Sequence, residues 1–182
     1  IYSELIYNEQ KHCSLLQYEE IKNRVIVLDG FSKTYAMTGW RLGYSIWPAN
    51  LIPHIIRLCT NSHSCANSVA QYAGLEALSG PKDTIKKMRK VFNSRRKLLW
   101  SKLNCLEGFK CVEPLGAFYA FPNIKKTGLS SLEAQNLFLT KARVATIAGS
   151  SFGSAGEGYL RISYANSVEN ILDAIDRIRA CL

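Results

Sequence analysis

Val25-Ile26-Val27-Leu28-Asp29-Gly30-Phe31-Ser32-Lys33-Thr34-Tyr35-Ala36-Met37-Thr38-Gly39-Trp40-Arg41-Leu42-Gly43 is the stretch on which the fold turns. Val25 to Leu28 is an unbroken aliphatic run, the pattern of a strand buried on both faces. Asp29-Gly30 ends it, and 31–38 reads as loop or turn. Arg41 to Trp47 predicts the next strand, stopped by Pro48. A lysine immediately past a buried strand lies at the carboxyl edge of a sheet, where α/β folds bind ligands. Partial withdrawal from water there favours the neutral, nucleophilic amine. Arg41, further along the same segment, offers a planar fork suited to a phosphate, and the intervening glycine permits a tight turn. On residues alone, a surface lysine and a surface arginine beside a loop is an equal reading.

Working outward, helices are expected at about 49–60 and 68–79, the second closed by Gly80, with Pro81 placed to open the next. From Lys82 to Lys102 there are nine Lys/Arg against one acid, Asp83. Ile85, Met88, Val91, Phe92, Leu98, Leu99 and Leu103 recur through it at helical spacing, which predicts one long amphipathic helix with a basic solvated face. The net charge of +9 is therefore read as a helix face, and no nucleic-acid partner is expected. Short strands are expected at 110–113, 117–122, 143–147 and 158–164. Ser130 and Glu133 form a capping box for a helix reaching about Lys141. Ser167 caps a final helix with Val168, Ile171, Leu172, Ile175, Ile178 and Leu182 on one face.

The composition, 182 residues at 47% hydrophobic, suits one good core or two small ones. Six cysteines show no CxxC pair, which points to reduced thiols in an intracellular protein, and no histidine pairs with a cysteine at zinc-ligand spacing, so no metal site is expected. No apolar run approaches a membrane span and no signal pattern opens the chain. The opening Ile1-Tyr2-Ser3, without an initiator Met, suggests a piece of a longer protein.

The run from Ser32 to Gly43 resembles the pyridoxal-phosphate (PLP) attachment motif of class I/II aminotransferases, within PLP fold type I, and is most similar to the aspartate and aromatic aminotransferase subgroup. Ala66-Asn67-Ser68-Val69-Ala70-Gln71-Tyr72-Ala73, Gly116-Ala117-Phe118-Tyr119, Gly149-Ser150-Ser151-Phe152-Gly153 and Tyr159-Leu160-Arg161-Ile162-Ser163-Tyr164-Ala165 resemble further motifs of that family, in its order. The fold implied is α/β: residues 1–95 a partial PLP-binding large domain, and 96–182 a small α+β C-terminal domain.

The resemblance also implies roles. Lys33 would be the Schiff-base lysine and proton shuttle, and Arg41 the clamp on the PLP phosphate, with the Ser32 hydroxyl beside it. Tyr2 would hydrogen-bond the cofactor's ring hydroxyl, and Arg161 would hold the substrate α-carboxylate. Gly30 stands where some relatives carry a phosphate-binding hydroxyl. The implied reaction is amino transfer between an α-amino acid and a 2-oxo acid, in a cytoplasmic homodimer. A lyase like 1-aminocyclopropane-1-carboxylate synthase shares the scaffold, and a degenerate non-catalytic fragment is the third reading. The family's pyridinium-binding aspartate and phosphate loop would precede Ile1, so the chain alone is expected to bind PLP poorly and to be inactive.

Overall fold

The structure, a computed structural model, describes residues 1–182. They form two compact units, 1–87 and 88–182.

In the first unit, strands β1 (Val27–Gly30) and β2 (Gly43–Ile46) pair antiparallel, with Val27 opposite Ile46 and Gly30 opposite Gly43. Helix α1 (Ile52–His63) runs three residues later than the expected 49–60, after a 3-10 turn over Ala49–Leu51, and α2 (Ser68–Ser79) falls where expected. Asn67 caps α2, its side chain accepting from the Ala70 N–H at 3.1 Å. Gly80 closes it, donating its N–H to the Glu76 carbonyl at 2.7 Å.

One expectation fails here. The Val25–Leu28 run is not buried on both faces: the strand starts at Val27, and Leu28 is 72% exposed. Helix α1 buries no residue, and α2 buries only Ala70 and Gly74. A two-stranded ribbon has no neighbours to cover its apolar side chains, so a run composed for a sheet interior lies open. The unit's core is small: Phe31, Met37, Leu42 and Ala70, with Tyr35, Ala73 and Ala77 packed against it.

Helix α3 (Asp83–Leu103) is the long basic helix; it begins two residues after Pro81 rather than on it. Its cations are not all solvated. Arg96 is fully buried, donating to Glu113 Oε1 at 2.9 Å, the Pro114 carbonyl at 2.6 Å and Asn93 Oδ1 at 3.0 Å. Charge periodicity cannot distinguish a cation facing water from one facing an acid 17 residues away in sequence.

The second unit holds a three-stranded antiparallel sheet in the order β3 (Tyr119–Ala120), β5 (Leu160–Ser163), β4 (Ile147–Ala148). Around 110–113 the expected strand shrinks to a bridge between Lys110 and Asn123. Helix α4 (Ser131–Leu137) carries the full capping box and continues as a π-turn over Phe138–Ala142. Helix α5 (Val168–Arg179), capped by Ser167, buries Ile171, Ile175 and Ile178, whereas Val168 at its start is exposed and Leu182, expected on the same face, lies exposed beyond its end. These helices and the sheet close on a large core that includes Leu99, Leu103, Phe109, Ile124, Phe138, Leu160, Ile162 and Tyr164. No helix of the chain is long and apolar enough to cross a membrane.

Candidate active site

Lys33 lies in the turn that leaves β1, half-buried. The turn is built by the backbone: Phe31 donates its N–H to the Leu42 carbonyl at 3.2 Å, while Tyr35 and Met37 both donate to the Phe31 carbonyl at 3.2 and 3.4 Å. The Lys33 carbonyl accepts the Ala36 N–H at 3.2 Å. Two residues other than glycine in this segment, Ala36 and Arg41, both with φ of 52°, adopt the left-handed conformation. Each costs about 1–2 kcal/mol, a strain held in place by the buried Phe31, Met37 and Leu42.

Helix α2 backs this turn closely. A Cβ at Gly74 would meet the Phe31 ring at 3.2 Å and crowd the Leu42 side chain as well. Lys82 ties the two together, donating to the Ala77 and Leu78 carbonyls at 3.1 and 2.9 Å and to the Tyr35 hydroxyl at 3.2 Å.

Arg41 is exposed and donates one N–H to the Thr38 carbonyl at 3.0 Å. It lines an open groove of about 570 Å³ with Ala36, Gly39, Trp40, Asn67 and Ala70. The groove thus joins a guanidinium to the N-terminal turn of α2, two features that favour an anion. Tyr2, Ser32 and Lys33 are half-buried and lie outside its lining. The segment carrying Tyr2 runs beside the end of β1, since a Cβ at Gly30 would meet Ile1 Cδ1 at 3.3 Å. A side chain at position 30 would need the Ile1 tip to shift by a few tenths of an ångström.

In the second unit Arg161 sits at the centre of β5, opposite Ile147. Strand alternation sends Leu160 and Ile162 into the core and Arg161 and Ser163 to the other face. There the guanidinium lies over the Tyr119 ring at 4.6 Å and over the Phe152 ring at 4.7 Å. It is half-buried, and no protein hydrogen bond engages its N–H groups.

The approach to β5 is held by Ser131, whose Oγ accepts the N–H of Gly158 at 2.8 Å and of Tyr159 at 3.2 Å. The Ser131 N–H donates to Glu157 Oε1 at 2.8 Å. Gly149 and Gly156 lie backbone to backbone, and any side chain at either would collide with the other. Tyr119 and Phe152 fall inside family-like motifs, but the motifs alone give them no part in the site. The available signal for Tyr119 is strand register: it pairs with Ser163, on the same face as Arg161. Phe152 ends a single 3-10 turn, Gly149–Phe152, just before Gly153, and offers no periodic signal.

Comparison with known proteins identifies the family. The family model described as aminotransferase class I and II matches residues 1–178. The chain is 43% identical over 184 aligned residues to an aspartate aminotransferase of Pyrococcus abyssi, covering all of this chain and 47% of that protein. It is 44% identical to an aspartate aminotransferase of Bacillus sp. strain YM-2, covering 98% of this chain and 46% of that protein. The crystal structure of an aromatic aminotransferase from Pyrococcus horikoshii superimposes with a TM-score of 0.95 at 41% identity, over 99% of this chain and 48% of the other. The chain thus spans about half the length of the curated relatives it matches. Its α/β architecture is that of fold type I aminotransferases. With a family match running through both units, the chain belongs to the class I and II aminotransferases, a PLP-dependent family.

Proposed function

We propose that the protein containing this chain transfers an amino group between an α-amino acid and a 2-oxo acid. The observation that carries the reading is the Arg161 fork, half-buried and ring-flanked with its N–H groups uncommitted, in a chain that also presents Lys33 and Arg41 in the family's order.

The donor set fits PLP. A half-buried amine suits a cofactor carbonyl, and a guanidinium beside a capped helix N-terminus suits a phosphate. When bound, PLP supplies the electron sink for the pair left behind when the substrate Cα–H bond breaks. Lys33 Nζ would hold the cofactor and, once released from it, would take the proton from substrate Cα. Arg41 would bind the phosphate, with the Ser32 hydroxyl adding a donor. Tyr2 would donate a hydrogen bond to the cofactor's ring oxygen. Arg161 grips the substrate α-carboxylate with two N–H groups, aligning the Cα–H bond for cleavage.

In this reading residues 1–95 are part of the PLP-binding large domain and 96–182 are the small domain. The exposed apolar side chains of the first unit, Leu28, Ile56, Leu58, Val69, Tyr72 and Leu75 among them, then belong to surfaces that the rest of a cytoplasmic homodimer covers.

The test is a pair of proteins. The 182-residue chain alone is expected to take up PLP weakly and to show no amino transfer. The protein at the length of its relatives is expected to transfer amino groups and to show lysine-bound PLP absorbance near the visible edge, both abolished by Lys33→Ala. Transfer that survives Lys33→Ala in the longer protein would overturn the assignment.

A further inference from the structure

We infer that Tyr119 and Phe152 are positioning residues that hold the Arg161 guanidinium in one plane, so that only its edge is offered to a carboxylate. The inference rests on the reading of Arg161 as the carboxylate-binding residue.

An arginine side chain has several freely rotating bonds, and an uncommitted fork samples many orientations at a cost in binding. Here the two rings stand 4.6 and 4.7 Å from the guanidinium carbon, within the range at which a ring face attracts a cation. A ring that packs on a guanidinium face leaves the N–H groups free, because guanidinium donors lie in the plane of the group. A carboxylate that meets this edge can form two parallel hydrogen bonds without first ordering the side chain.

The rings are themselves held. Tyr119 is fixed by β3, which pairs with β5 at Ser163 and Ile162. Phe152 meets Phe121 edge-on, with centroids 6.2 Å apart, and Phe121 stacks on Tyr159 at 5.3 Å with planes 10° apart. Lys125 lies over the Tyr159 ring at 5.8 Å, at the far end of the series. Tyr119, Arg161, Phe152, Phe121, Tyr159 and Lys125 thus form a continuous run of flat groups and cations within one unit. The turn bearing Phe152 is locked by the Gly149–Gly156 approach and by the Gly149 N–H donating to the Tyr159 carbonyl at 2.8 Å.

The experiment uses the PLP-loaded enzyme and two readouts: calorimetric affinity for propionate, an unreactive carboxylate, and the separation of KM from kcat for an amino-acid substrate. Phe152→Leu and Tyr119→Leu keep apolar bulk but remove the ring face. Each is expected to weaken propionate binding and raise KM by roughly three- to thirtyfold, with a much smaller change in kcat. Phe152→Tyr and Tyr119→Phe keep the ring and are expected to stay within about twofold of the parent. Should a leucine variant fail to fold by circular dichroism, the methionine variant at that position takes its place.

Arg161→Lys separates the two layers of the argument. It is expected to weaken propionate binding by about a hundredfold, since a lysine cannot form the paired hydrogen bonds. Unchanged binding in Arg161→Lys overturns the role of Arg161 itself. Weakened binding there with unchanged binding in the leucine variants overturns the positioning role alone.

Discussion

Arg41 and Arg161 are the two anion-binding candidates, and the two units support them in opposite ways. Arg41 stands on a turn made by backbone hydrogen bonds, in a left-handed conformation, exposed, over a core of four buried residues. Arg161 stands on a strand whose other face is the main core, with the Tyr119 and Phe152 rings against its guanidinium. A site made of strained backbone needs surrounding mass to hold it, and the first unit offers little. A site made of side chains on a well-packed sheet carries its own support. The difference explains how one chain can hold one arginine against a packed sheet and the other in an open groove.

That contrast can be broken at its strongest point first. Arg96→Ala removes a fully buried cation from Glu113, Pro114 and Asn93. It is expected to destabilise the second unit by about 3 kcal/mol, read as a lower urea midpoint. A loss under ~1 kcal/mol would mean that the second unit is not the self-supporting one.

Gly74→Ala probes the first unit by driving a methyl into Phe31 and Leu42. Overpacking there is expected to cost about 1–3 kcal/mol and to loosen the Lys33 turn, read as faster amide exchange at Tyr35 and Met37. Exchange that is unchanged would show that α2 does not hold the turn.

A smaller effect is expected at the α4 cap. The Ser130 hydroxyl and N–H, both hydrogen-bonded to Glu133, hold its carboxyl below the usual carboxylate range. A depressed carboxyl stabilises the fold at pH above its unfolded value, and that contribution is lost as the pH falls through the folded one. Ser130→Ala is therefore expected to lower stability modestly at neutral pH, with the gap from the parent closing in acid. A gap that widens in acid would reverse the assignment.

The smallest effect is expected at Leu28. Leu28→Ser in this chain should change stability by less than about 0.5 kcal/mol, because the side chain is already in water. The same change in a protein of the relatives' length should cost several times more if that surface is covered there. Equal effects in the two would show that it stays open.

Much of the second unit is legible in the amino-acid sequence. The Ser130–Glu133 box and the Ser167 cap are local grammar, in which a side chain bonds a backbone group three residues away. The apolar face of α5 follows from helical period, and its buried members are Ile171, Ile175 and Ile178. The first unit misleads at Val25–Leu28, because an aliphatic run records the environment for which a strand is composed and not the neighbours present in this chain.

The sequence by itself determined the family, through the Ser32–Gly43 run and the motifs that follow it in order, and it named Lys33, Arg41 and Arg161 as residues to inspect. Tertiary structure alone decided that Arg96 is buried, that Gly74 abuts the Lys33 turn, and that Tyr119 and Phe152 flank Arg161. The physical reason is range. Capping and periodicity act within a turn or two of chain, whereas a ring 42 residues from an arginine in sequence, as Tyr119 is from Arg161, meets it only once a sheet has set their register.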